Sequence, residues 1–399
     1  MLGYSMIKIP LHSLVVVPQV PANGSLPACE LVSWQANVDF SALRKEISGR
    51  EDNRLYDGVV WQEAYRRINL LLEHGNQVVF TGAFLHPRDV DSLTEIALKW
   101  GSRLYWVLED VDNVSATKQS QLYNQVVKKI QRAKTGVVVD TQAQLAKPVR
   151  NLNPTGILAV GDVHGNLAAM QKVIAHAHEN HLFIVWLGDV VDYGDHTLRC
   201  MRVAYETVIH NQAHMIWGNH ERKISKWISS NWGQHFRGKL SEANQATIAE
   251  IQALPDTSRT RFHSAWRCLE NLSTQHLVVD NWLFTHGSAT PEMWHMTDHR
   301  LPGIHGERAY FGEVTDERAK TPQGYPVRTW DWVNSVPMNH TVVVGHDWLD
   351  HDNCCVTVKQ GSQGGTVICV DTGSGKGGRL SGIAIDLKTQ TWEERYFDT

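Results

Sequence analysis

The chain has 399 residues, 42% of them hydrophobic and 20% charged, with 38 Lys+Arg against 42 Asp+Glu. That composition belongs to a globular protein too long for one ordinary core, so two domains are expected. A net charge of −4 excludes an overall basic field that would recruit nucleic acid, and a charged substrate therefore needs a local site.

The opening segment, "MLGYSMIKIPLHSLVVV", lacks the basic flank and small-residue cleavage site of a signal peptide. No apolar run is long enough to span a bilayer. Six cysteines without a paired framework fit a reducing compartment, so a cytoplasmic location with no membrane partner is expected.

The strand "SLVVV" (13–17) is followed by the helical pattern of 61–75, the strand "QVVF" (77–80), a helix over 89–101 and the strand "RLYWVLEDV" (103–111). Strands alternating with helices indicate a parallel α/β domain over 1–150, and "KPVRNLNPTG" (147–156) reads as its boundary. The second domain, 151–399, resumes with a strand at 157–160, a helix near 167–180 and a strand at 182–187. A helix at 196–210 and the strand "HMIW" (214–217) follow. Residues 222–275 read as a helical cap, and the strands "HLVVDNWLFTH" (276–286), "TVVVGH" (341–346), "GTVICVDTG" (365–373) and "GIAIDL" (382–387) complete an αββα sandwich.

Five apolar runs of the second domain end in a metal-type ligand beside a glycine. They are "GDVHGN" (Asp162, His164), "WLGDVVDYG" (Asp189), "WGNHE" (Asn219, His220), "THG" (His286) and "VVVGH" (His346). Strand tips gather at one edge of an α/β sheet, so these side chains can meet although they are distant in sequence. A lone Gly-Asp or Gly-His is an ordinary polar turn; five in succession are not. Carboxylate, imidazole and amide oxygen without thiolate suit Mn²⁺, Fe²⁺, Ni²⁺ or Zn²⁺. Two such ions sharing a carboxylate make a site for displacement at phosphorus, and a histidine outside the ligand set can protonate the leaving oxygen.

The order GDxHG, GDxxDxG, GNHE, HG, GH resembles that of the calcineurin-like metallophosphoesterases over roughly residues 155–390. "RAYFGEVTD", "GYPVRTW", "VVVGHDW" and "VICVDTGSGKGGRLSGIAI" resemble, more specifically, the phosphatase module of bacterial polynucleotide kinase-phosphatases. The resemblance implies two divalent ions, manganese first. Asp162 and His164 would hold one ion, Asp189 would bridge, and Asn219, His286 and His346 would hold the other. His220 would be the general acid, supported by Asp192, and Asp371 would lie near the phosphate. Where the family pattern GDxxDRG has arginine this chain has Tyr193, so either phosphate is bound more weakly at that position or Arg199, Arg222 or Arg328 reaches in. The implied substrate is a 3′-phosphate or 2′,3′-cyclic phosphate at an RNA end. The alternatives are a phosphoprotein, a dinucleoside tetraphosphate, or a regulatory binding role with a slow phosphatase site.

Residues 61–111 resemble the kinase module of the same proteins, with Gly82 where the usual Asp stands. The segment after "SLVVV", "PQVPANGSLPACELVSWQ", contains no GxxxxGK[ST], and its prolines have no N–H to offer a phosphate. A degenerate kinase-like fold that binds no ATP is therefore expected. "RKISKWISSNWGQHFRGK" (222–239) offers basic and aromatic residues that either grip a strand or pack Trp227 and Trp232 inward.

Overall fold

The computed structural model describes residues 7–18, 36–83, 85–108, 118–133, 136–140, 145–146, 156–320 and 326–398. Residues 19–35, where the missing phosphate loop was read, and most of the boundary at 147–156 lie outside them. Two compact units emerge, Met1–Arg150 with Pro255–Cys268 and Asn151–Leu254 with Leu269–Thr399. Among the described residues no helix is long and apolar enough to cross a membrane.

The first unit is built on a five-stranded sheet in the order Ala36–Asp39, Val78–Thr81, Ser13–Val17, Arg103–Leu108, Val137–Asp140, parallel throughout. Ser13–Val17 is buried at every position, as a central strand covered on both faces must be. Asp57–Glu73 and Pro87–Trp100 pack Val60, Ala64, Ile68, Leu72, Leu93 and Ala97 into its core. The second of these helices starts at a proline and stops at Gly101 in the left-handed region. Gly82, at φ +77°, lies beside the Asp39 carboxylate, which also accepts from the Thr81 hydroxyl at 2.7 Å.

The expected cap is helical, as Asn219–Ser229, Glu242–Ala253 and Asp256–Leu272. Its last part, however, belongs with the first unit, unlike a simple division at residue 150. The reason is local packing. The Ser264 hydroxyl donates to the Leu72 carbonyl at 2.8 Å and lies 3.2 Å from His12 Nε2. A Cβ on Gly75 would stand 2.3 Å from Cys268 Cα, so only glycine admits the approach.

The second unit holds two five-stranded sheets. One runs Ala213–Met215, Phe183–Trp186, Gly156–Val160, Leu380–Asp386, Thr391–Phe397; the other runs His276–Val279, Trp282–Thr285, Thr341–Val344, Thr366–Cys369, Thr357–Gln360. Alternation along the strands sends Ile157, Ala159 and Val185 of the first sheet and Phe284, Val343 and Ile368 of the second into a shared core. Leu167–Glu179 and Thr197–Ile209 flank the first sheet; Met293, Ala309, Trp332 and Val333 cover the second.

The single strand expected over 276–286 is a hairpin instead. Asp280 takes φ +50°, and Asp280-Asn281 is a two-residue turn of the kind that reverses antiparallel strands. Trp227 is buried and stacks edge-on against Trp232 at 5.7 Å, which places it in the fold rather than on a strand-gripping face.

Candidate metal centre

Each nominated ligand leaves the end of a strand or its following turn, and the two sheets deliver them to one edge. Asp162 and His164 follow Gly156–Val160, Asp189 and Asp192 follow Phe183–Trp186, and Asn219 and His220 begin the helix after Ala213–Met215. His286 and His346 come from the second sheet, after Trp282–Thr285 and Thr341–Val344. His164, Asp189, Asp192, Tyr193 and His346 all have positive φ, a conformation that side chains other than glycine adopt rarely and that concentrates at functional sites. The glycines beside them make room for carboxylates. A Cβ on Gly218 would lie 2.2 Å from Asp189 Oδ1, and one on Gly345 would lie 2.3 Å from Asp162 Oδ1.

Asp189 lies in two groups of potential ligands, His164–Asp189–His220 and Asp189–His286–His346, each with its ligand atoms within 4.8 Å of one another. The His164 Nδ1–H donates to the Val191 carbonyl at 2.8 Å, which leaves Nε2 as a bare lone pair. His286 is oriented likewise by the Leu187 carbonyl at 2.8 Å. Its Nε2 faces Asn219 Oδ1 at 2.9 Å, His346 Nδ1 at 3.1 Å and Asp189 Oδ2 at 3.3 Å.

These donors fit divalent cations. Asp162 Oδ2, His164 Nε2, His346 Nε2 and Asp371 Oδ2 are buried without a hydrogen-bond partner, which is costly unless something else satisfies them. Electrostatics gives the same answer. Burial and the neighbouring Asp371 push the Asp162 carboxyl well above its usual range. Burial also opposes charge on Asp189, but His286 and His220 outweigh it and hold that carboxyl well below. Burial disfavours a charged His286 as well, yet Asp189 and Asp162 lift it to about 10. The buried carboxylates thus favour positive charge at the centre of the cluster, which divalent cations would supply. Cys369 adds no thiolate, because burial and Asp371 keep its thiol protonated.

His220 turns Nε2 toward the cluster, 3.7 Å from Asp189 Oδ2, while its Nδ1 lies 2.5 Å from Asp192 Oδ2. Asp192 is fully buried and is held by the Asn244 amide and, at 2.5 Å, the Thr247 hydroxyl. Of the nominated phosphate contacts, Tyr193 lies at the site with its ring 4.7 Å from that of His164, and Asp371 is buried beside it. Arg199 is exposed on its helix. Arg222 is engaged by Glu307 and stacked over Tyr310, and Arg328 is engaged by Asp347 and the Phe311 carbonyl.

Four contributing residues were not nominated from sequence. Glu221 accepts backbone N–H groups of Asp189, Val190, Val191 and Gly218 at 2.8–3.2 Å, fixing the turn that carries Asp189. Its place in "WGNHE" was the available signal. The Asn244–Thr247 pair and Lys376 had none.

The sequence profile described as calcineurin-like phosphoesterase matches residues 155–367, just over half of the chain. The asymmetrical bis(5′-nucleosyl)-tetraphosphatase PrpE of Bacillus cereus strain AH187 is 25% identical over 240 residues, covering 56% of this chain and 88% of the relative. The protein of the same description from Bacillus anthracis strain A0248 matches to the same extent. Among solved structures, a putative diadenosine tetraphosphatase aligns at 17% identity with TM-score 0.38, over 61% of this chain and 94% of its own. A Saccharomyces cerevisiae protein serine/threonine phosphatase with similarity to human phosphatase PP5 aligns at 16% identity and TM-score 0.39, over 63% and 82%.

Proposed function

This chain belongs to the calcineurin-like phosphoesterase family, and from that premise we propose that it removes 3′-phosphate or 2′,3′-cyclic phosphate from RNA ends, using two manganese ions. Metal-dependent hydrolysis of phosphoester bonds is the family's chemistry, and a binuclear divalent centre is its means. One observation supports the resemblance on which the narrower substrate rests. Three of the segments that resemble the polynucleotide kinase-phosphatase module meet at Arg328, from "GYPVRTW". Its guanidinium reaches Asp347 of "VVVGHDW" at 2.5 Å and the Phe311 carbonyl of "RAYFGEVTD" at 2.9 Å, next to His346. Segments distant in sequence thus form one wall of the centre.

Asp162, His164 and Asp189 would hold one ion, and Asp189, Asn219, His286 and His346 the other, with Asp189 common to both. Ions there supply charge that neutralises phosphoryl oxygens and makes water nucleophilic near neutral pH. The donor set of carboxylates, imidazoles and an amide oxygen suits Mn²⁺. His220, oriented by Asp192, presents Nε2 to the leaving oxygen and delivers the proton there, a contribution of roughly 10²–10⁴-fold for poor leaving groups. The first unit, whose parallel sheet carries Gly82 beside Asp39, is read as a kinase-derived fold that binds no ATP; a micromolar affinity by calorimetry would contradict this.

A second reading, hydrolysis of dinucleoside tetraphosphates, is favoured by the description of the Bacillus relatives. The deciding experiment compares 3′-phosphorylated RNA, cyclic-ended RNA, a phosphopeptide and diadenosine tetraphosphate under Mn²⁺. Preference for either RNA end supports the first reading, and preference for the tetraphosphate replaces it with the second.

A further inference from the structure

We propose that Lys376 binds the phosphoryl group of the substrate, supplying from a different loop the cation that the family pattern places where Tyr193 stands. This rests on the phosphoester-hydrolase reading above. The Lys376 ammonium sits over the Tyr193 ring, 4.7 Å from its centroid. That ring lies 4.7 Å from the ring of His164 and 5.5 Å from that of His220. Tyr193 therefore seats Lys376 at the margin of the cluster, on the side of the general acid. A tyrosine replaces the charged arginine fork with a neutral hydroxyl and a π-face, and the face holds a cation.

The loop that carries Lys376 is fastened to the same turn. The Ser374 hydroxyl donates to the Val163 carbonyl at 3.1 Å and accepts from the Asn166 amide at 3.2 Å. Gly375 comes so close that a Cβ there would stand 2.2 Å from the His164 carbonyl oxygen. The loop also closes on itself, with the Lys376 and Gly378 N–H groups both donating to the Gly373 carbonyl at 3.0 Å. Lys376 is consequently held one residue beyond a backbone contact with a nominated metal ligand.

Its charge rests on the Tyr193 ring and faces the carboxylates of the cluster without touching them. Among the described residues the ammonium makes no hydrogen bond or ion pair. Burial opposes its charge, but Asp371, Asp162 and Asp189 outweigh burial and keep it protonated. Of the nominated arginines, Arg222 is paired with Glu307 and Arg328 with Asp347, while Arg199 is exposed on its helix. A partly buried ammonium of this kind is suited to a phosphoryl oxygen as a point charge rather than a fork.

The test uses the full chain loaded with Mn²⁺ and the variants Lys376→Met, Lys376→Arg, Tyr193→Phe and Tyr193→Ala. We expect Lys376→Met to raise both the KM for p-nitrophenyl phosphate and the calorimetric dissociation constant of inorganic phosphate at least tenfold. Bound manganese per chain should be unchanged, and Lys376→Arg should recover most of the loss. Tyr193→Phe, which keeps the ring that seats Lys376, should bind phosphate more tightly than Tyr193→Ala, which should weaken binding severalfold. Wild-type phosphate affinity in Lys376→Met would overturn the proposal, and so would a loss of manganese in that variant. An active wild type with an unaffected Lys376→Met removes Lys376 alone. A metal-loaded wild type that neither binds phosphate nor hydrolyses the ester removes the hydrolase reading with it.

Discussion

The backbone N–H of Asp189 donates to Oε2 of Glu221 at 2.8 Å, so a carboxylate that touches no substrate holds the turn on which the shared ligand sits. Glu221 is 1% exposed, and burial with Asp189 nearby lifts its carboxyl to about 7. Replacing it by alanine would strand four buried donors, each worth about 1–3 kcal/mol when unsatisfied. We expect Glu221→Ala to lower the urea midpoint and to reduce manganese stoichiometry below that of the wild type. Equal stoichiometry by elemental analysis would show that the turn is held by other means.

Because Asp189 belongs to both ligand groups, Asp189→Asn should abolish binding of both ions. His346→Ala, which touches only one group, should leave close to one ion per chain. Retention of two ions by Asp189→Asn would separate that residue from the shared position.

The His220–Asp192 pair is held by Asn244 and Thr247 on the helix Glu242–Ala253. Loss of a proton donor matters most when the leaving group is a poor one. His220→Ala should therefore slow an alkyl phosphate by roughly 10²–10⁴ while slowing p-nitrophenyl phosphate far less. Thr247→Val should reproduce the same asymmetry more weakly, with full metal content. Equal slowing of both esters would remove His220 from the acid role, and loss of metal in His220→Ala would make it a ligand.

In the first unit, burial holds the His12 imidazole down to about 4, from an ordinary value of 6.5. The unfolded chain then binds more protons between those values, so stability is full above the upper one and falls as the pH drops toward the lower. The loss amounts to about 3 kcal/mol for this group. Urea midpoints of the full chain at several pH values, compared with His12→Asn, should show a shallower acid decline in the variant. Parallel declines would mean that His12 accommodates its proton without penalty.

Gly218→Ala is expected to cost more than a helix-favouring substitution normally would, since the new methyl would meet Asp189 Oδ1 at 2.2 Å. The variant should bind manganese at least tenfold more weakly. Wild-type affinity would mean that the carboxylate can step aside.

The residues that meet at the sheet edge were readable because each follows its own apolar strand by one to four positions and has a glycine beside it. Hydrophobic periodicity located those strands, and the metal-type side chains stood at their ends. What escaped was remote. Glu221 acts on a backbone turn some thirty residues earlier, and Thr247 reaches Asp192 across 55 positions. No local pattern announces such a contact. Lys376 escaped because its segment, "VICVDTGSGKGGRLSGIAI", does not reveal that the side chain reaches Tyr193, far earlier in the chain. The hairpin at Asp280-Asn281 was lost for the opposite reason: a two-residue polar turn interrupts the apolar run too briefly to register as a break. The path of Pro255–Cys268 depends on packing by Ser264 and Gly75, which periodicity does not encode.

His286 and His346 come from one sheet while Asp162, His164 and Asp189 come from the other, and all of them end at the rim of the core the sheets share. Ions held there would pin one sheet to the other like rivets through two plates, so part of their binding energy would become cohesion between the sheets. Stripping the metal with a chelator should then cost the second unit stability as well as activity.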